Sequence, residues 1–148
     1  MPLPRNLPGL ALCALVLAAL AFESARAGRL LGANRRLRAV EITSLRAAQL
    51  GKQGEALLRA NLAVLRDGER MDPAEIGLRM ARGSVHYLLG RMDDAVAGYQ
   101  DALRLEPRPE IYLNLGRALA ALGRRAESDA AVERAIRLDR RLASQRPG

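Results

Sequence analysis

The sequence predicts an all-α fold: an α-solenoid of antiparallel helix pairs, preceded by an apolar N-terminal helix. Three observations carry this. Hydrophobic residues make up 49% of the 148-residue chain but aromatics only 3%, with no Trp. Such a core must be filled by Leu, Ala, Ile and Val, which suits packed helices. One phrase also occurs three times, as LGKQGEA from Leu50, LGRMDDA from Leu89 and LGRRAES from Leu122, at spacings of 39 and 33 residues. A period in that range marks stacked supersecondary units. Finally, an apolar run fills residues 7–22 ahead of the first phrase.

That run follows Arg5 and ends near Ala25-Arg26-Ala27, the layout of a secretory signal peptide that would leave Gly28 as the new terminus. It is slightly short for a membrane span, which needs about 20 residues. Against cleavage and export stand Arg26, Arg29, Arg35, Arg36 and Arg38 just after it, because positive charge beside a membrane segment prefers the cytoplasmic side. Two expectations therefore stay open: residues 1–27 are a signal peptide cleaved near Ala27, giving a periplasmic or secreted protein, or residues 7–22 remain as an inner-membrane anchor. Cys13 is the only cysteine, so no intrachain disulfide can form, and within this run it acts as a small hydrophobe. Leu12 before it and Ala14-Leu15-Val16 after it do not fit a lipid-modified cysteine.

Residues 1–38 hold six arginines against Glu23, so +5 of the net +8 sits beside the apolar run. The rest of the chain is nearly balanced and lacks interleaved aromatics, so nucleic acid is not an expected partner.

Around the third phrase the pattern is helical on both sides, from Pro109 to Gly123 and from Ala126 to Asp139. Glycine tolerates the left-handed conformation that stops a helix, and the acid after it suits the positive end of the next. Each phrase is thus a helix–turn–helix hinge. With Leu115, Gly116, Gly123, Tyr112, Ser128 and Ala135 in register, the third unit resembles the tetratricopeptide repeat. The second unit matches through Gly83, Gly90, Ala95, Tyr99, Ala102 and Pro107, and the first through Gly51, Ala56 and Ala63, with Ser44 replacing the first-helix glycine. The resemblance covers residues 37–141 and implies this division: basic linker or helix start 28–36, repeats at 37–70, 71–108 and 109–142, and a tail at 143–148. Small residues at Ser44, Gly83, Ala95, Ala102, Gly116 and Ala135 let paired helices approach, and Tyr99 and Val132 plug between layers. A capping Asp72 before Pro73, with Glu75 three residues on, opens the second unit. The extra residues of RDGERMDP are expected in a surface loop, where an insertion costs little.

In this family the first helices of successive units line a groove for an extended peptide or a partner's helix. Carried over by register, that groove holds Glu41, Leu45, Ala48 and Gln49, then Met80, Ser84, Tyr87 and Leu88, then Glu110, Leu113, Arg117 and Ala121. Members that grip a chaperone's C-terminal carboxylate use a basic and amide clamp. Glu41, Leu45 and Glu110 occupy those positions here, which disfavours such a ligand. The mixed, partly apolar groove suits a hydrophobic or helical one.

Arg79 and Arg82 stand where the family has large apolar residues, with His86 on the same stripe. They either form an anion or carboxylate pocket or, more simply, run their stems past the core and pair with Asp67, Glu69 or Asp72. His86 is the only histidine and has no serine or acid in a triad-like arrangement beside it; Asp93-Asp94 reads as capping charge. Neither a phosphate-cradling loop nor metal-ligand spacing occurs. No enzyme activity and no cofactor are expected. The segment after Asp139 is short for a solvating cap, so either the last helix is polar enough on its outside or a partner covers it, self-association being the simpler cover. The expected function is a non-catalytic protein–protein interaction module at a bacterial-type envelope. The alternative is a membrane-anchored scaffold or assembly factor that uses its outer surface.

Overall fold

The computed structural model describes residues 7–50 and 52–145, with side chains over 18–142 apart from Leu30, Ala48, Gly51 and Lys52. Arg5, Cys13, Ala48 and Gly51 therefore lie outside the described side chains. Among the described residues six α-helices follow one another: α1 (Leu7–Gln49), α2 (Lys52–Met71), α3 (Ile76–Leu88), α4 (Met92–Leu105), α5 (Pro109–Ala121) and α6 (Arg125–Leu138), then a 3-10 turn, Arg140–Gln145. Those residues include no strand. The helices pair as α1/α2, α3/α4 and α5/α6, and the pairs stack in chain order.

The repeated phrase makes the hairpin turns. Gly90 and Gly123 have φ of 72° and 75°, the region that favours glycine. At the first turn the Gly90 N–H donates to Tyr87 O at 3.0 Å and Arg91 N–H to His86 O at 2.9 Å; at the second, Gly123 N–H donates to Ala120 O and Arg124 N–H to Leu119 O, each at 2.9 Å. Both are Schellman closures, which satisfy the last carbonyls of α3 and α5. Ser128, early in α6, donates its hydroxyl to Gly116 O at 2.8 Å across the hairpin. Ala95, Ala102 and Ala135 are fully buried. The Tyr99 ring lies where a Cβ on Gly83 would come within 2.7 Å, so close approach here depends on glycine.

The first hairpin departs from that register. Ala56 and Ala63, expected at the helix interface, are exposed, and Leu58 and Leu65, two positions further on in each case, point inward instead. The cause is Gly54, on which a Cβ would fall 1.9 Å from Ala47 O. This close contact with α1 sets α2 two residues out of step. Asn61 is then buried against α1, its Oδ1 2.8 Å from Thr43 Oγ1 and its Nδ2 donating to Ser44 Oγ at 3.0 Å. Ser44 thus does approach α2, but through a hydrogen bond.

The insertion is helix and not loop. α2 runs for 20 residues against 14 in α4 and α6, and carries Arg66–Met71 with it. Gly68 lies where a Cβ would be 3.1 Å from Leu78, so glycine here seats α3 on α2. The cap of α3 is also one turn later than expected. Glu75 is the N-cap, accepting from Gly77 N–H at 3.0 Å, while Asp72 accepts from Ala74 N–H at 3.1 Å within the loop.

α1 is unbroken through 28–36, the segment expected as a basic linker or helix start, so no boundary separates the basic segment from the first hairpin. Its 43 residues span about 65 Å. Residues 18–29 are exposed throughout, and contact with the body begins at Ala33 and continues at Val40 and Ala47, one face of the helix. Among the described residues no helix is long and apolar enough to cross a membrane. At the other end Leu142 packs on Leu113, Val132 and Ala135, so the chain covers part of its own last hairpin. The outer residues of α6 are mostly charged (Arg125, Glu127, Asp129, Glu133, Arg134 and Arg137 are exposed), which removes the need for a second copy as a cover.

Candidate functional site

The stacking places α1, α3 and α5 side by side, and three cavities follow one another along them. The first, of about 400 Å³, lies between α1 and α3 and is lined by Leu37, Val40, Glu41, Ser44, Leu45, Met80, Ala81, Ser84, Val85 and Leu88. Ser84 and Leu88 are shared with the second, about 200 Å³, where Tyr87, Tyr99, Asn114 and Arg117 complete the wall. Asn114 and Arg117 are shared in turn with the third, about 270 Å³, which adds Pro109, Glu110, Leu113, Asp139 and Leu142. The result is one continuous trough.

Its chemistry changes along its length. The α1–α3 end is mainly aliphatic, and Leu45 and Leu88 are 72% and 45% exposed there. The α5 end offers the Arg117 guanidinium, which donates to Asn114 Oδ1 at 3.3 Å, and the Glu110 carboxylate. In the middle Tyr99 donates its hydroxyl to Ser84 Oγ at 3.2 Å, and Ser84 donates to Met80 O at 3.1 Å. Burial raises the Tyr99 pKa, so this phenol stays neutral and keeps its donor.

Of the twelve residues expected in the groove, Glu41, Leu45, Met80, Ser84, Tyr87, Leu88, Glu110, Leu113 and Arg117 line the trough. Gln49 and Ala121, at the ends of their helices, are exposed and do not line these cavities; Ala48 lies outside the described side chains. Leu37, Val40 and Asn114 line it without having been singled out. Asn114 had a signal, since it sits one turn before Arg117 on the same helix face.

Arg79, Arg82 and His86 do not form an open cationic pocket. Arg82 donates through Nε to Glu69 Oε1 and through Nη2 to Asp101 Oδ2, both at 2.9 Å. Burial works against its charge, but the bonds to Asp101 and Glu69 outweigh that and raise its pKa. The guanidinium is thus committed to carboxylates from α2 and α4, and Arg79 Nη1 donates to Pro73 O. The His86 side chain is only 14% exposed, with Asp94 Oδ2 3.7 Å from Nδ1, and Nδ1 has no hydrogen-bond partner among the described residues. Burial lowers the His86 pKa, with Asp94 opposing and Arg82, Arg91 and Arg66 assisting. A neutral, enclosed imidazole beside a neutralised arginine is not an anion receptor. Among the described residues no group of His, Cys, Asp and Glu could hold a metal ion.

The hairpin geometry agrees with comparison to known proteins, for the tetratricopeptide repeat family profile matches residues 109–141. The third hairpin thus matches one tetratricopeptide repeat. A thermophilic tetratricopeptide-repeat protein of Thermus thermophilus, TTC0263, superimposes with a TM-score of 0.73 at 29% identity, over 90% of this chain and 73% of that one. MamA MSR-1 C2 gives a TM-score of 0.56 at 19% identity, over 84% of this chain and 72% of that one. A point mutant of MamA gives 0.54 at 20% identity, over 85% and 93%. The MamA likenesses speak to the fold alone. No curated protein sequence matches the chain. Tetratricopeptide-repeat proteins are non-catalytic protein–protein interaction modules as a class, and this chain shares their fold, with its trough on the first helices of successive repeats.

Proposed function

We propose that the chain is an adaptor which binds an amphipathic helix or extended peptide of a partner protein along the α1–α3–α5 trough, while its N-terminal helix keeps it at a bacterial cell envelope. The observation that carries the binding part is the continuity of the trough from the exposed Leu45 and Leu88 to Arg117. A helix laid in a groove needs apolar anchors at i, i+3, i+4 and i+7. The aliphatic end takes those anchors, and Asn114 and Arg117 take a hydrogen-bonding or acidic side chain beyond them. The envelope part rests on the apolar run at 7–22 and on the continuity of α1 through Ala25-Arg26-Ala27. Arg26, Arg29, Arg35, Arg36 and Arg38 just after the run favour the cytoplasmic side, which supports a retained segment over an exported and cleaved one.

The test is site-specific photocrosslinking in cells from Leu88, in the trough, and from Ala97, exposed on α4. A discrete protein adduct from Leu88 that disappears in Leu45→Asp, with no adduct from Ala97, is the expected result. Adducts from Ala97 alone would instead favour a scaffold using its outer surface and would overturn trough binding. Leu45 is better suited to this test than Tyr87, which packs on the central core cluster and whose loss would disturb the fold.

A further inference from the structure

Where α1 leaves the body, the extended end of α2 stands beside it. Arg70, Met71 and Pro73 share a cavity of about 560 Å³ with Phe22, Arg26 and Arg29. Antiparallel packing creates this neighbourhood, and it needs the full length of α2; a helix as short as α4 would end well before Arg70.

The corner has a definite chemical character. Arg26, Arg29 and Arg70 are exposed. Arg26 lies 4.0 Å from Glu23, and Arg70 lies 3.4 Å from Asp67. Both pairs are in solvent, where ion pairs are weak and exchange readily. The two acids that also line the cavity are turned to the backbone, Asp72 accepting from Ala74 N–H and Glu75 from Gly77 N–H. Lining the same cavity as the arginines are Phe22, 61% exposed, and Met71, 38% exposed. Exposed apolar side chains ringed by guanidinium groups, at the foot of an apolar helical run, match the boundary between bilayer hydrocarbon and headgroups.

We propose that this corner docks on the phosphates of an anionic lipid bilayer. The proposal rests on the reading that residues 7–22 are retained and seat in the membrane. Guanidinium groups pair well with phosphate oxygens, often through two N–H donors. Along the helix Arg26 and Arg29 lie about 6 and 10 Å beyond Phe22. Arg26 is thus within the roughly 8 Å over which a charged surface acts at physiological salt, and Arg29, on a long side chain, lies just past it. Arg70 and Met71 bring the body itself to the same level, so docking would fix its tilt as well as its distance from the surface.

The experiment is co-flotation of the full chain with phosphatidylcholine vesicles, with and without phosphatidylglycerol. We expect partitioning at least about tenfold stronger on the anionic vesicles, with the gain lost in molar salt. The triple variant Arg26→Gln, Arg29→Gln, Arg70→Gln should lose the gain while keeping its helical circular dichroism. Arg125→Gln, Arg134→Gln, Arg137→Gln on α6 removes the same charge elsewhere and should keep it. Equal partitioning of the unaltered chain on both vesicles, or an equal loss in both triple variants, overturns the proposal. Displacement from the vesicles by millimolar inorganic phosphate would make the corner a free-anion site and overturn it too. Failure to float on neutral vesicles sinks only the seating of residues 7–22, because the anionic preference is read separately.

Discussion

Arg82 and Asp101 meet at 2.9 Å between α3 and α4, and the same guanidinium holds Glu69 of α2 at the same distance. One side chain thereby ties the first hairpin to the second. Removing it takes from Glu69 its bond at 2.9 Å and leaves Asp101 with Arg104 alone of its two arginines. Arg82→Ala should lower the stability by about 2 kcal/mol, read by chemical denaturation. Arg82→Leu together with Glu69→Leu and Asp101→Leu should recover most of the loss, since an apolar replacement of the whole set strands no charge.

Two glycines in helices should respond oppositely to alanine. At Gly83 the new Cβ meets the Tyr99 ring at 2.7 Å, and overpacking of this kind costs about 1–3 kcal/mol. At Gly28 nothing lies within 4 Å, so Gly28→Ala should strengthen α1 by roughly 1 kcal/mol of helix propensity. Thermal melts of the two variants followed by circular dichroism would show one shift down and no loss in the other.

Burial holds the His86 pKa below its ordinary 6.5. The native state then binds fewer protons than the unfolded chain as pH falls through that value, so the stability is present above it and lost below. Denaturation midpoints should fall between about pH 7.5 and about pH 5.5, above the range in which carboxylates titrate. His86→Gln should flatten that slope; an unchanged slope would show that other groups set it.

Asn61 is buried at 6% exposure between Thr43 and Ser44. Asn61→Ala removes the bonds to both hydroxyls and opens a small void, although Thr43 keeps Ala39 O as an acceptor at 2.7 Å, and should cost about 1–3 kcal/mol by urea denaturation.

The hairpin turns were legible in the sequence because their chemistry is local. Gly90 and Gly123 stop a helix by their own φ, and Ser128 and Ala95 follow at a fixed distance. The trough on α3 and α5 followed from that register. The first hairpin was not legible, because its offset comes from the contact of Gly54 with the Ala47 backbone, which no periodicity displays. Leu58 and Leu65 do carry a helical stripe of their own, and it competed with the alanine stripe of Ala56 and Ala63. RDGERMDP was expected in a loop because it accounts for the longer spacing between phrases, yet it is helical as far as Met71, and α3 uses the space that Gly68 leaves. Glu69 was an anticipated partner for Arg82; Asp101 was not, since the face it shares with Arg82 exists only once α3 and α4 are paired.

α1 has no joint between its outlying half and the part that walls the trough. Position and azimuth are therefore coupled as on a screw. One residue inserted near Gly28 would carry the outer half about 1.5 Å further along the axis and turn it by about 100° relative to the trough. Four residues would leave it about 40° past the original heading while moving it about 6 Å outward. Whatever grips the far end of this helix thus dictates the compass direction in which the trough opens, and the length of the segment acts as a phase setting as well as a spacer.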